Sequence, residues 1–495
     1  MDSIKIFFSI IGSSLEVIFG LIYSYLMARL FSTEIIGYYG AIIAFFTTLA
    51  FIIDLGFSIA HLKFYSETEN SNEKSKCNGA FLFFKSLQFT IYFTISLILI
   101  PLLGTYLGEA GVVFLLFLGT TLVSTQYFFQ PLLYSKKQVI KNNIAISGAA
   151  LIRILLIISL TLYFRNDILF LSYILLISNI FYISINLYFI RNTTISKPSI
   201  EHLKKYFKYA FPFFITTSLI IIVSNIDILF LRFWDYSEAD IGNYYMAKKF
   251  YAYIFIFMNG ISNILITTFS KNIFVKENKK NLSIIEDSHK ILNVITVPIV
   301  MIIVLYGVDL IVFVFGEQYR FMGSLLSILC FVLLSFSVNI ANNSQLQALG
   351  EVKMVAKITI TENIIAIILM FLFISPDFFR FGAIGGALAI VLASIIVQII
   401  FRPILYKKFN LKFYFGSFRN VIIMIGVIFM QIGIKFLFNY PDFFIPIFIL
   451  FDVLIYFVIN YILKGINRDD IKYILSILSI KNIKDVLFLE LKNEE

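Results

Sequence analysis

Fourteen mainly apolar stretches follow one another along this chain, near residues 4–29, 35–60, 79–101, 111–133, 144–164, 168–190, 209–231, 244–270, 291–315, 322–349, 355–375, 383–405, 417–438 and 442–463. Each is long enough to cross a bilayer as a helix, because about 20 residues span ~30 Å of hydrocarbon and satisfy every backbone polar group internally. The series predicts an all-α polytopic membrane protein with 14 transmembrane helices. Of the 495 residues, 59% are hydrophobic and only 14% charged. The mean hydropathy of +0.90 lies far outside the range of soluble domains. The opening MDSIKIFFSIIGSSLEV lacks a basic leader and a clear small-residue cleavage site, so it reads as a retained helix rather than a signal peptide.

Lysine and arginine set the orientation, since cytoplasmic loops carry their excess. The loops after even-numbered spans hold 23 of them, including Lys74, Lys76, Lys136, Lys197, Lys204 and Lys407; the loops after odd-numbered spans hold 5, namely Arg29, Arg165, Arg232, Arg320 and Arg380. One missed or invented span would scramble that alternation, and it puts both termini in the cytoplasm. The net charge of +10 is thereby explained by topology, without nucleic acid as a partner. The tail over 464–495 keeps Ile471, Ile474, Leu475 and Leu478 at helical spacing beside charges and reads as a helix lying on the inner surface. Two cysteines, Cys77 and Cys330, make no disulfide framework, and His61, His202 and His289 are too scattered for a metal cluster.

The chain also repeats itself. LMARLFSTEIIGYYGAIIAF (26–45) follows the first span and LRFWDYSEADIGNYYMAKKF (231–250) the seventh. Ser32 meets Ser237, Ile36 meets Ile241, Gly37 meets Gly242 and Tyr39 meets Tyr244, all 205 residues apart, a distance that also equals six spans with their loops. TQYFFQPLLYSKKQ (125–138) matches NNSQLQALGEVKMV (342–355) more loosely, with Gln130 opposite Gln345. The expected organisation is an N-lobe over 1–190, a cytoplasmic linker over 191–208, a C-lobe over 209–406, an extra helix pair over 417–463 and the tail. Six spans being even, the two six-helix lobes run parallel about an axis along the membrane normal. Facing lobes enclose a central cavity, and rocking of one against the other gives alternating access.

With the repeated turns, "DLGFS" (54–58), "FGEQY" (315–319), "QLQALGEVK" (345–353) and "FGAIGGALAIVLAS" (381–394), the chain resembles the multidrug, oligosaccharidyl-lipid and polysaccharide exporter superfamily over nearly its whole length. Within it the polysaccharide transport branch is most similar. These motifs are structural and mark fold better than substrate. The resemblance implies a bacterial cytoplasmic-membrane flippase, not an enzyme, that moves an undecaprenyl-diphosphate-linked oligosaccharide from inner to outer leaflet. It implies membrane lipids, a polysaccharide polymerase and a chain-length regulator as partners, a monomeric transporter, and no cofactor beyond Na⁺ or H⁺ as coupling ion.

A charge at mid-bilayer costs about 2.5–3.5 kcal/mol on insertion scales and usually faces a cavity or a partner. Arg153, near the centre of LIRILLIISLTLY, is the sharpest case. A guanidinium forks onto phosphate oxygens and stays ionised, so Arg153 suits a diphosphate; a structural pair with Glu16 fits equally. Lys248 and Lys249 lie one turn into the eighth span and point about 100° apart, so at most one faces a cavity. Lys85 and Arg29 complete the phosphate candidates, with snorkelling the blander reading of Lys85 and interfacial anchoring that of Arg29. Asp227, beside Ser224 and Asn225, and Glu362, beside Asn363, offer oxygens for a hard cation or a carboxylate for a proton. Lipid II flippases of the superfamily are held to bind a cation among helices 7, 11 and 12, which makes Ser394 the candidate from helix 12. Glu16 is open between pairing and proton transfer. Asp54 reads as a helix-end acid touching Arg29 or Lys63.

Several classes drop out. No GxxxxGK[ST] loop occurs, so ATP hydrolysis through a Walker site is excluded. A membrane polymerase would need a sizeable outer loop with paired catalytic groups, and none is present. A lipid II or teichoic-acid flippase shares the diphosphate requirement and stays open; a cation-drug exporter would want an acidic cavity and normally stops at twelve helices.

Overall fold

The computed structural model describes residues 2–107, 109–161, 167–273, 278–348, 351–409, 415–438 and 444–463. Among them there are helices and no strand. In chain order the α-helices are α1 (Asp2–Leu30), α2 (Thr33–Leu49), α3 (Phe57–Glu67), α4 (Ser71–Leu107), α5 (Ala110–Ser124), α6 (Gln126–Ser135), α7 (Val139–Thr161), α8 (Ile168–Ile190) and α9 (Ile200–Phe233). They continue as α10 (Glu238–Ile273), α11 (Asn278–Phe315), α12 (Arg320–Leu329), α13 (Phe331–Ala348), α14 (Val352–Ile374), α15 (Gly382–Phe409), α16 (Phe415–Phe438) and α17 (Ile445–Ile462). Twelve of the expected windows hold described helical segments long and apolar enough to cross a membrane. The first and eighth windows are occupied by the continuous helices α1, of 29 residues, and α10, of 36. The tail expected over 464–495 lies outside the described residues.

Three windows expected as single helices are interrupted. The second runs as α2, a 3₁₀ turn over Ala50–Ile53, a break, and then α3. The break is built by "DLGFS": Asp54 leaves helical geometry and Gly56 takes a left-handed φ of +84°. A Cβ at Gly56 would stand 2.7 Å from the Ala210 carbonyl oxygen and 2.9 Å from the Phe213 Cβ, so only glycine lets α9 pack this closely. The fourth and tenth windows each bend at one residue, Thr125 between α5 and α6 and Cys330 between α12 and α13.

Those two bends are 205 residues apart, the separation of the repeat, and their backbones match: φ −63°, ψ −14° at Thr125 and φ −64°, ψ −20° at Cys330. The repeated turns are equally alike. Ser32 caps α2 by accepting from the Ile35 N–H, and Ser237 accepts from the Asp240 N–H at 3.1 Å in the first turn of α10. The shared glycines then meet each other. A Cβ on Gly37 would fall 1.9 Å from the Glu238 carbonyl oxygen, and one on Gly242 would fall 2.0 Å from the Thr33 carbonyl oxygen. Residues 33 and 238 are themselves repeat-equivalent, so α2 and α10 cross through a self-complementary contact of the same short segment used twice.

The chain divides into two compact units. One comprises Phe7–Met246 with Thr359–Ala389, the other Ala247–Ile358 with Ile390–Glu495 and the first six residues. In the first unit Phe57, Ala60, Phe64, Cys77, Phe81, Leu132, Tyr206 and Ala210 draw α3, α4, α6 and α9 into one apolar cluster. In the second, α11, α13, α16 and α17 share a core that includes Val297, Met301, Leu333, Met424 and Tyr456. The two C-terminal helices are tied to α11 by polar contacts as well. The Tyr306 hydroxyl donates to buried Asp452 at 2.5 Å, and the Lys435 ammonium pairs with Asp309 at 3.1 Å.

Gly37→Ala and Gly242→Ala should each lower the unfolding temperature in detergent, with a cost of about 1–3 kcal/mol for forced overpacking. Gly426→Ala, on α16 where a Cβ meets nothing within 4 Å, should leave that temperature unchanged or raise it.

Candidate functional site

Arg153 sits four turns into α7, where the antiparallel α8 faces it. Its Nε donates to Ser178 Oγ at 3.0 Å and its Nη2 reaches Asn179 Oδ1 at 3.4 Å. Both partners are held by their own helix, since the Ser178 hydroxyl and the Asn179 amide donate to the Leu175 carbonyl oxygen at 3.1 and 2.7 Å. The guanidinium is thus aimed by two neutral oxygens. Glu16, on α1, is the carboxylate on which the Arg153 charge acts, but among the described residues the two form no ion pair within 4.0 Å. Among the described residues, then, the hydrogen-bond partners of Arg153 are neutral groups of α8. Buried Tyr39, on α2, packs edge-on against Tyr245 with ring centroids 6.2 Å apart. Neutral hydrogen bonds orient a guanidinium without cancelling its charge, so this interior stretch of the α7–α8 seam is suited to an anion.

The other cations fare differently. Lys85, expected to snorkel, is completely buried: its ammonium donates to the Ile53 carbonyl oxygen at 2.7 Å and to Asp54 Oδ1 at 3.0 Å. The reason is the break after α2, which exposes a carbonyl and a carboxylate inside the bundle that water cannot reach. Asp54 therefore pairs with Lys85 and with the Ser58 hydroxyl at 2.7 Å, not with Arg29 or Lys63. Lys63 instead forms a 3.7 Å pair with Glu67, and exposed Arg29 lies over the Tyr25 ring at 5.8 Å. Lys248 and Lys249 are half-buried on α10 and engaged with neighbours.

Asp227 is fully buried on α9. It accepts from the Tyr244 hydroxyl at 2.7 Å and from the Ile228 N–H at 2.8 Å. Tyr244 fits because α15 carries Gly386 opposite it; a Cβ there would be 2.8 Å from the hydroxyl oxygen. Ser224 and Asn225, expected as co-ligands, bond each other at 2.9 Å, and the Ser224 hydroxyl also donates back to the Ile221 carbonyl oxygen of its own helix at 2.6 Å. Glu362 is half-buried on α14, where Asn363 donates to the Thr359 carbonyl oxygen at 2.8 Å. Ser394 is buried on α15, bonded to the Val391 carbonyl at 2.7 Å, and belongs to the other compact unit. The residues that sequence reasoning passed over are the tyrosines. Their signal was present, because Tyr39 and Tyr244 are the repeat-equivalent pair.

An all-helical bundle with bends repeated at a fixed separation and ionisable groups buried in its spans defines a multi-pass membrane protein with the fold of known exporters and flippases. Residues 4–273, more than half of the chain, match the family described as polysaccharide biosynthesis protein, and the chain belongs to that family. A probable low-salt glycan biosynthesis flippase, Agl15 of Haloferax volcanii, is 22% identical over 303 residues; the match spans 58% of this chain and 61% of that protein's length. Among solved structures, the lipid II flippase MurJ in an inward closed conformation superposes with a TM-score of 0.74 at 20% identity, covering 92% of this chain and 98% of MurJ. An inward-facing multidrug resistance MATE family transporter gives 0.63 at 16% identity, over 78% of this chain and 92% of that one.

Removing one member of the Lys85–Asp54 pair should cost about 3–5 kcal/mol, because a buried charge is left alone. Lys85→Met and Asp54→Asn are each expected to lower the unfolding temperature in detergent, and the double variant to lose clearly less than the sum of the two.

Proposed function

We propose that this protein is a flippase that carries a polyprenyl-diphosphate-linked oligosaccharide, such as an undecaprenyl-diphosphate repeat unit, from the inner to the outer leaflet by alternating access. Arg153 carries the reading. It is a permanently charged guanidinium deep in a span, aimed by the neutral Ser178 and Asn179 and not neutralised by an acid within 4.0 Å among the described residues. Such a group is costly to retain in a membrane unless an anion uses it. A diphosphate supplies two charged groups with oxygens in the fork geometry a guanidinium prefers. Membership of the polysaccharide biosynthesis family, together with the names of the glycan and lipid II flippases that the chain is similar to, supports a lipid-linked glycan as the cargo.

Glu16 supplies the return stroke in this proposal. Lying within the field of Arg153, it competes with the substrate for the same positive charge, so anion binding and the protonation or ion occupancy of Glu16 are linked. Asp227 with Tyr244, and Glu362 beside Asn363, are two further places where H⁺ or Na⁺ can couple to movement in this proposal.

The test is transport of a fluorescent polyprenyl-diphosphate oligosaccharide in proteoliposomes, alongside surface polysaccharide in cells. Arg153→Ala should reduce flipping at least tenfold with normal insertion and folding, and Arg153→Lys should restore part of it. Undiminished transport by Arg153→Ala would remove the anion-site reading. Asp227→Asn and Glu362→Gln are expected to weaken the dependence on an imposed pH or Na⁺ gradient; full activity in both, at every gradient, would exclude coupling through these acids. Faster flipping of a lipid-linked peptidoglycan precursor than of an oligosaccharide carrier would reassign the cargo.

A further inference from the structure

We propose that a groove on the outer face of α4 is a binding site for one anionic phospholipid of the leaflet on the basic-loop side. The groove has a volume of about 490 Å³, with Gly79, Phe83, Leu87 and Thr90 as its floor and Ile195 and Lys197 in its wall. The floor residues recur every three or four positions and so share one helical face. Phe83 and Leu87 are 51% and 50% exposed, whereas Lys85, two residues from each and about 200° around the helix, is turned into the bundle.

The wall is a built feature. The segment joining α8 to α9 is stitched to the start of α4: the Ser196 N–H donates to the Ser75 carbonyl oxygen at 3.1 Å, the Ser75 and Ser196 hydroxyls bond at 2.6 Å, and the Asn78 amide donates to the Thr194 carbonyl oxygen at 2.9 Å. Gly79 completes the seam, since a Cβ there would stand 1.9 Å from the Ser196 carbonyl oxygen. The strap is thereby held against the helix, and the space beside it persists.

Length and charge select the occupant. Before Gly79, α4 reads SNEKSKCN, and after it GAFLFF, so the hydrocarbon boundary falls at the strap. From Gly79 to Thr90 the helix rises about 16 Å, and one leaflet of hydrocarbon is about 15 Å deep. An acyl chain lying along the floor therefore reaches from the headgroup level to the bilayer midplane. At the headgroup end stands Lys197, exposed and without an ion pair within 4.0 Å among the described residues. The nearby acid Glu73 is already taken by Lys76 at 2.8 Å and His202 at 2.9 Å. A lone ammonium over an apolar trough matches a phosphodiester with its chain below, and a basic residue at a membrane surface favours anionic over zwitterionic lipid.

Full-length protein, delipidated in mild detergent and reloaded with phosphatidylglycerol or phosphatidylcholine, is read by native mass spectrometry. Wild type should retain phosphatidylglycerol in preference to phosphatidylcholine. Lys197→Glu should reduce that retention about fivefold or more, Lys197→Arg should keep it, and Leu87→Trp, which fills the trough without touching the charge, should reduce it too. Ile195→Trp serves the same purpose from the wall should Leu87→Trp unfold. Equal retention of both lipids, or phosphatidylglycerol retention unchanged in Lys197→Glu and in the tryptophan variant, would overturn the proposal. Displacement of phosphatidylglycerol by equimolar undecaprenyl phosphate would overturn it as well, assigning the groove to carrier lipids.

Discussion

In hydrocarbon there is no water to receive a stray carbonyl, and the architecture of this protein follows from how each interruption of a helix is repaired. After α2 the chain breaks at Asp54, and the buried ammonium of Lys85 reaches the orphaned Ile53 carbonyl and the carboxylate together. At Thr125 the side-chain hydroxyl turns back to the Leu122 carbonyl at 2.6 Å, and at Cys330 the thiol does the same to Ser327 at 3.0 Å. A break so repaired becomes a fixed bend, and bends decide which helix faces meet. The approach of α9 onto Gly56 exists only because the second window is bent there.

The internal repeat supplies scaffold rather than charge. Its identical letters are a serine at a helix start, a buried isoleucine, a glycine at a helix crossing and a buried tyrosine, placed alike in both copies. The ionisable groups do not follow it. At the repeat separation Glu16 corresponds to Ile221, and Asp227 to Ile22. Two copies of one frame have thus been given different electrostatics. The repeated tyrosines differ in the same way: Tyr244 donates to the buried aspartate, whereas Tyr39 packs edge-on against Tyr245.

The contrast between Lys85 and Arg153 separates a buried cation used as a strut from the half-buried one proposed as an anion site. Lys85 meets a full negative charge at 3.0 Å, and its ammonium is spent on holding a broken helix. Arg153 meets only a hydroxyl and an amide oxygen, which fix its direction without cancelling its charge. A ligand phosphate can add to the second arrangement, whereas in the first it would have to displace a carboxylate already in place.

Hydropathy alone determined the fold class, because a chain with apolar windows of this length has no other way to satisfy its backbone in a membrane. The 205-residue spacing likewise announced a duplicated frame, since its letters serve local geometry. The partners of the buried charges were not legible. Lys85 lies 31 residues from Asp54, and its assignment to a snorkelling role failed because the break that creates its acceptors is set by the left-handed Gly56 and the packing of α9 against it. Likewise Ser224 and Asn225, close to Asp227 in sequence, bond each other, while Tyr244 arrives from the next helix to donate to the aspartate. Sequence proximity determines which groups share a helix. Only the tertiary structure decides which of them face one another, because a rotation of about 100° per residue, and the room a glycine leaves on a neighbouring helix, select each contact.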